Sequence, residues 1–138
     1  MSPKLRFAKL APVRSRYHIN EPCAAHFVTA TIVAWLPVFT TAEPCDILIH
    51  SLEYCRAHKD LKIHAWVILD NHFHAILAAP DLSGVLADFK RHTARRVLEL
   101  LKTQRCEWLL NQFRYFARNI SSIASIRFGR KARIRNPW

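Results

Sequence analysis

The apolar residues in the first half of the chain predict one strand followed by one helix. Residues 26–33 are rich in β-branched side chains that roughly alternate with other residues, which is typical of a strand. A helix is expected from Pro44, which suits a first helical turn, to about His58. Its apolar stripe consists of Leu48, Leu52 and Cys55.

A hairpin and a long helix are predicted next. Residues 62–69 are apolar on both alternating faces, which predicts a central strand covered on both sides. Asp70 and Asn71 both tolerate the positive φ of a tight turn, and residues 72–77 then predict the partner strand. From residue 82 the apolar positions recur every three or four residues, which predicts a long helix. Its apolar face consists of Leu82, Leu86, Phe89, Thr93, Val97 and Leu100.

The predicted order, β-α-β-β-α, matches the first five elements of a ferredoxin-like, RRM-like α+β fold. In that fold the strand–helix–strand unit gives parallel strands, the hairpin gives an antiparallel pair, and both helices cover one face of the sheet. The sixth element of the fold is an edge strand. Because residues 117–138 have weak periodicity, we expect this final edge strand to be missing.

Length and composition favour one folded domain. The chain has 138 residues, of which 51% are hydrophobic and 22% are charged, and these values exclude a disordered chain. No apolar run approaches the roughly 18 residues that a membrane span needs, and the N-terminus lacks the hydrophobic region of a secretory leader. A cytoplasmic protein without a membrane partner is therefore expected. The four cysteines show no CxxC spacing, so we expect them to be reduced.

Positive charge is concentrated at both ends of the chain. The net charge is +11, residues 1–20 carry five basic groups and no acid, and residues 117–138 carry six basic groups and no acid. Residues 1–20 are therefore described as a basic N-terminal arm. Such ends favour a polyanionic partner, either nucleic acid or an anionic membrane surface, and a solubilising tail is the alternative.

His72 and His74 form the sharpest local motif, because side chains two apart on a strand point to the same face. Their Cα positions would be about 7 Å apart, so both imidazoles could bind one metal ion while Phe73 faces the core. Imidazole suits manganese, cobalt, nickel or zinc better than magnesium, and a third ligand must come from elsewhere. The alternative is an accidental pair in a chain with 8 histidines.

The long predicted helix carries a second candidate set. Basic side chains flank its apolar stripe and could contact a phosphate backbone, although such a face is more often simply solvated. The candidate DNA-binding residues are Lys90, Arg91, Arg95 and Arg96.

Three segments together resemble a known family. HFVTATIVAWLPVF, VILDNHFHAIL and LADFKRHTARRVLELL resemble, in order and spacing, the single-tyrosine HUH transposases, in particular the REP-associated tyrosine transposases, over about residues 17–116. The resemblance implies a ferredoxin-like domain acting on single-stranded or hairpin DNA. It also implies that His72 and His74 bind a divalent metal, Mg or Mn, which polarises the scissile phosphate, with the basic helix near the DNA.

The resemblance also implies a tyrosine nucleophile that forms a covalent link to DNA, and here the chain departs from the family. The nucleophile and a third ligand normally lie on a helix well after the long basic one, and no such segment is matched. Tyr115 is only a minor candidate for the nucleophile, because it corresponds to a position in an apolar cluster of the family pattern. Asp70 also replaces the proline that commonly precedes the Asn-His pair.

We hypothesise that a shifted reading frame explains why the segment with the nucleophile and the third ligand is not matched. Suitable codons for NISSIASIRFGRKARIRNPW, read one base out of register, spell YKQHSEYQVWQEGSHPESM. This string resembles the family's next segment, in which VWQEG forms the edge strand. On this interpretation residues 21–116 are the transposase-like domain and residues 117–138 are out-of-frame peptide. An unpaired sheet edge would then favour poor solubility or a homodimer.

We therefore expect a defective transposase that retains its metal-binding histidines and some affinity for single-stranded DNA. A non-catalytic nucleic-acid-binding module of the same fold is the first alternative, although it would need exposed aromatic residues on the sheet. A structural or interaction protein, in which both histidines merely decorate the surface, is the second.

Overall fold

A computed structural model describes residues 23–119 and, for the backbone alone, the strand at 124–131. The predicted basic arm, 1–20, lies outside the described residues. The elements in chain order are β1 (His26–Ile32), a 3-10 turn (Val33–Trp35), α1 (Ala42–His58), β2 (Lys62–Leu69), β3 (His72–Ala78), α2 (Leu82–Thr103), α3 (Glu107–Asn119) and β4 (Ala124–Lys131). Within these ranges no helix is both long enough and apolar enough to cross a membrane.

The strands form one sheet in the order β2-β3-β1-β4. β3 is antiparallel to both β1 and β2, so β1 and β2 run in the same direction with β3 between them. This is the arrangement expected when a parallel β-α-β unit receives a hairpin strand between its two strands. The predicted α+β, ferredoxin-like fold class is confirmed.

The second edge of the sheet differs from expectation. The weak periodicity of residues 117–138 predicts an empty edge beside β1, whereas the structure places β4 there in antiparallel register, with Val28 opposite Phe128 and Ala30 opposite Ile126. Ladder hydrogen bonds are made by backbone groups, so the outer edge of β1 accepts a strand whatever its side-chain pattern. A third helix, α3, also follows α2, where only two helices are expected.

The prediction that residues 62–69 form a central, doubly covered strand is wrong. β2 lies at the edge of the sheet, and Trp66, Val67 and Leu69 on it are exposed. Apolar content alone does not distinguish a central strand from an apolar edge strand. The central position goes to β3, because the short turn after β2 returns the chain into the space beside β1.

Alternation along β3 separates the two faces of the sheet. Phe73, Ala75 and Leu77 are buried on the face that the helices cover, and the Phe73 ring centroid lies 5.9 Å from that of Phe89 on α2. His72 and His74 lie on the other face, because side chains two residues apart on a strand share a face. All the helices therefore pack on one face, and the two histidines belong to the open face.

Candidate metal and nucleic-acid site

The two predicted histidines lie side by side on the open face of β3. Their ring centroids are 4.7 Å apart and the rings are nearly perpendicular, at 77°. Both side chains are half-buried. The alternating pattern that buries Phe73 thus also brings the two imidazoles together where a solute can reach them.

Asn71 orients the ring of His72. The amide Nδ2 of Asn71 donates to the backbone carbonyl of Trp35 at 3.2 Å, and Asn71 Oδ1 lies 2.6 Å from His72 Nδ1. A carbonyl oxygen only accepts, so the first contact fixes which way the amide faces. The oxygen that faces His72 must then receive a proton from Nδ1. The neutral ring keeps its lone pair on Nε2, the atom that could bind a metal.

Thr29 and Phe27 on β1 hold His74 in a similar way. The hydroxyl of Thr29 lies 2.9 Å from His74 Nδ1, and the Phe27 ring stacks on His74 with centroids 5.3 Å apart. Burial, and to a lesser degree the charge of His72, lower the pKa of His74. A lowered pKa favours the neutral imidazole, which is the form that binds metals.

The candidate ligand set consists of two imidazoles, those of His72 and His74. Within residues 23–119, no group of three or more His, Cys, Asp and Glu side chains is placed to hold a metal ion. Two imidazoles suit manganese, cobalt, nickel or zinc, and a third ligand would come from the substrate, from water or from residues outside this range. The donor chemistry therefore fits half of a metal site.

The histidines are flanked by apolar side chains on β2 and by hydroxyls on β1. Val67 is the register partner of His74, and Leu69 is the register partner of His72. Both β2 residues are exposed. The sequence pattern did not identify these two as site residues, since their position beside the histidines depends on the register of the hairpin.

The structure does not bring the basic helix residues together with the histidines. α2 packs on the covered face of the sheet, and its three candidate arginines point to solvent beside acids of the same helix. Arg91 lies 3.4 Å from Asp88, and Arg96 lies 3.3 Å from Glu99. Arg95 lies 3.9 Å from the other oxygen of that glutamate. A role for these arginines in DNA binding stays a prediction.

The fourth basic candidate, Lys90, is half-buried rather than displayed to solvent. It lines a cavity of about 60 Å³ between the sheet and the helices, beside Phe89 and Thr93. Burial lowers the pKa of its ammonium group. Its surroundings are those of a residue in the interior, so a phosphate contact by Lys90 also stays a prediction.

Tyr115, the minor nucleophile candidate, lies in the helix layer. α3 packs into the core through Leu110 and Phe113, whereas Tyr115 is 62% exposed and its ring lies edge-on to Phe116. Because the histidines belong to the opposite face of the sheet, the structure does not unite Tyr115 with them.

Comparisons with known proteins give a match among solved structures. No family model matches the chain, and no curated protein is similar to it in sequence. Among solved structures, the chain is similar to a REP-associated tyrosine transposase determined with a bound REP hairpin, with a TM-score of 0.50 and 23% sequence identity. The match covers 59% of this chain and 50% of that transposase. At this identity the likeness shows a shared fold.

Proposed function

We propose that this chain is a transposase-type DNA-binding protein in which His72 and His74 hold a divalent metal ion against a phosphodiester of single-stranded or hairpin DNA. The observation that carries the proposal is the pair of imidazoles on an open sheet face, each with a hydrogen-bond partner at Nδ1. The similar structure, solved with a REP hairpin, supports DNA as the partner.

The proposed roles of the residues follow from their contacts. Asn71 accepts a hydrogen bond from Nδ1 of His72, and in the proposed role the Thr29 hydroxyl accepts one from Nδ1 of His74, so that both Nε2 lone pairs face the metal, Mn or Mg. When bound, the metal would polarise a phosphate oxygen. Since no third His, Cys, Asp or Glu ligand joins the histidines within residues 23–119, and Tyr115 lies on the other side of the sheet, we propose that the chain binds DNA and is defective in strand cleavage.

Metal titration tests the proposal directly. Isothermal titration with Mn²⁺ alone should show binding to the full chain, weakened at least tenfold in His72→Ala and His74→Ala. His50→Ala, an exposed histidine on α1, is the matched control and should leave Mn²⁺ binding unchanged. Equal Mn²⁺ binding by all four proteins would overturn the proposal.

A hairpin oligonucleotide tests the DNA partner and the expected defect. Mn²⁺ should strengthen binding of a fluorescent hairpin oligonucleotide to the wild-type chain and not to the His74→Ala variant. A denaturing gel should show no covalent protein–DNA adduct. An adduct would contradict the proposed defect, and its loss in Tyr115→Phe would identify Tyr115 as the nucleophile.

A metal-independent nucleic-acid-binding module is the second candidate. The exposed apolar side chains on the open face, Phe27 among them, favour it, because such domains stack bases on the sheet. Nucleic-acid affinity that survives both histidine replacements and chelation of metal would favour this module over the first candidate.

The out-of-frame origin of residues 117–138 also stands as a proposal. The residues whose shifted reading gives VWQEG begin at Arg127, within β4, the strand that occupies the edge position beside β1. The support for the proposal is the resemblance of the shifted reading to the next segment of the family. The nucleotide sequence of the gene tests it, because a stop codon at the start of the shifted frame would exclude it.

A further inference from the structure

Trp35 places a large aromatic surface next to the histidine pair. Its side chain is 62% exposed, and its ring centroid lies 5.7 Å from that of His72, with an interplanar angle of 78°. Burial of an indole is among the larger apolar gains available to a folded chain. Because most of the Trp35 side chain is exposed, little of this stabilisation is realised, and core packing does not explain the position of the ring.

The backbone at this point adopts an unfavourable conformation. Ala34 has φ of 52° and Trp35 has φ of 56°, so two successive residues with a Cβ atom occupy the left-handed region. This region is unusual for bulky side chains, and residues held in it cluster at functional sites. The 3-10 turn therefore directs the indole outward at an energetic cost.

Hydrogen bonds to the β2–β3 turn maintain the strained segment. The amide of Ile32 donates to the Asn71 carbonyl at 2.9 Å, and the amide of Phe39 donates to the Asp70 carbonyl at 2.8 Å. Between these two contacts, the Asn71 side chain donates to the Trp35 carbonyl. Asn71 thus contacts both the turn that carries the indole and the ring of His72.

We infer that Trp35 is a stacking platform for a nucleobase of the same DNA strand whose phosphate lies at His72 and His74. This inference rests on the proposed function. An exposed indole stacks on any base, so it would favour unpaired nucleotides without reading their sequence. A base within a duplex is already stacked on its neighbours, so the ligand is a single strand, a hairpin loop or a flanking single-stranded end.

Walking an abasic site along the bound strand tests the inference. With Mn²⁺ present, the wild-type chain should lose about tenfold in affinity at one position, equivalent to about 1.4 kcal/mol, which lies within the range for base–aromatic stacking. Trp35→Gly should bind the intact strand about tenfold more weakly and show no further loss at that position. Glycine adopts positive φ freely, so this variant should retain the turn.

Two further variants control the experiment. Trp35→Phe keeps an aromatic face and should retain sensitivity to the abasic position, whereas Trp108→Ala removes a 59% exposed indole from α3 and should leave the whole profile unchanged. Mn²⁺ titration without DNA should give the same affinity for Trp35→Gly and the wild-type chain.

The outcomes separate the inference from the proposed function. If Trp35→Gly loses the same affinity at the same abasic position as the wild-type chain, the stacking role is overturned while metal-dependent binding stands. If the wild-type chain binds no single strand, or binds it without regard to His72 and His74, both are overturned.

Discussion

Thr29 and His74 lie directly opposite each other in the β1–β3 ladder, and their side chains are also in contact, with the threonine hydroxyl 2.9 Å from Nδ1 of the imidazole. Thr29→Val preserves shape and removes the hydroxyl. We expect Mn²⁺ affinity to fall about tenfold, because loss of such a partner typically weakens a metal ligand by 10–100-fold. Isothermal titration measures the change.

Thr31 supplies the matched control for this substitution. Thr31 lies on the same face of β1 as Thr29 and opposite His72. The Nδ1 atom of His72 is hydrogen-bonded to Asn71 and not to a threonine. Thr31→Val should therefore bind Mn²⁺ like the wild-type chain. If both valine variants weaken binding equally, the effect arises from general polarity of the strand and not from orientation of His74.

The ion pair between Lys59 at the end of α1 and Asp88 on α2 predicts a pH-dependent stability. The ammonium lies 2.5 Å from the carboxylate, and this hydrogen bond lowers the pKa of Asp88 and raises the pKa of Lys59. The carboxylate contribution is present above the ordinary value of 3.8 and is lost as pH falls through the lowered pKa. The ammonium contribution is present below 10.5 and is lost as pH rises through the raised pKa.

A double-mutant cycle measures this dependence. Asp88→Asn should lower the urea midpoint most between about pH 5 and pH 9, and the difference from the wild-type chain should shrink at lower and higher pH. In a Lys59→Met background the same substitution should have a smaller effect, because only Arg91, 3.4 Å away, then pairs with the carboxylate. A difference that is constant with pH in both backgrounds would show that the pair does not couple.

Thr93 predicts a stabilising substitution. Its side chain is buried within α2, and its hydroxyl has no hydrogen-bond partner among the residues described. An unsatisfied buried hydroxyl typically costs 1–3 kcal/mol, so Thr93→Val should raise the free energy of unfolding by about 1 kcal/mol. Urea denaturation monitored by circular dichroism gives the value.

Thr103 on the same helix is the control. Its exposed hydroxyl donates to the Glu99 carbonyl at 3.1 Å, so Thr103→Val should change stability by no more than about 0.5 kcal/mol. Destabilisation by Thr93→Val would mean that its hydroxyl finds a partner in solution.

Local patterns along the sequence predicted most of the fold. The bounds of β2 are as predicted, and β3 and α2 begin at the predicted residues, because each has a clear apolar period or turn residues at its ends. The shared face of His72 and His74 follows from the same period of two. The order of strands in the sheet does not follow from such patterns. The apolar content of β2 therefore predicts a central strand, although β2 lies at the edge.

The contacts around the histidines depend on residues distant in sequence. Asn71 is linked to Trp35, and Thr29 to His74, only after the hairpin inserts beside β1. The same long-range packing separates α2 and its arginines from the open face. Periodicity within one segment carries no information about either relationship, so the histidine pair was predictable and the residues that contact it were not.

The outer edge of β1 gives the last prediction. β4 pairs with this edge from Ala124 to Lys131, and the register of the pairing shifts between His26 and Val28. Removal of residues 120–138 would leave the backbone amides and carbonyls of β1 unpaired on that side. An exposed edge of this kind recruits another strand, so we expect the shortened chain to self-associate.

Sedimentation velocity at several protein concentrations tests this expectation. The shortened chain should form dimers or larger species at concentrations where the full chain does not. Ile126→Pro is a milder variant, because proline removes one backbone donor from the strand opposite Ala30 without shortening the chain. It should show the same tendency to a smaller degree. If the shortened chain remains monomeric and equally stable, β4 contributes nothing to protecting β1, and the fold is complete with three strands.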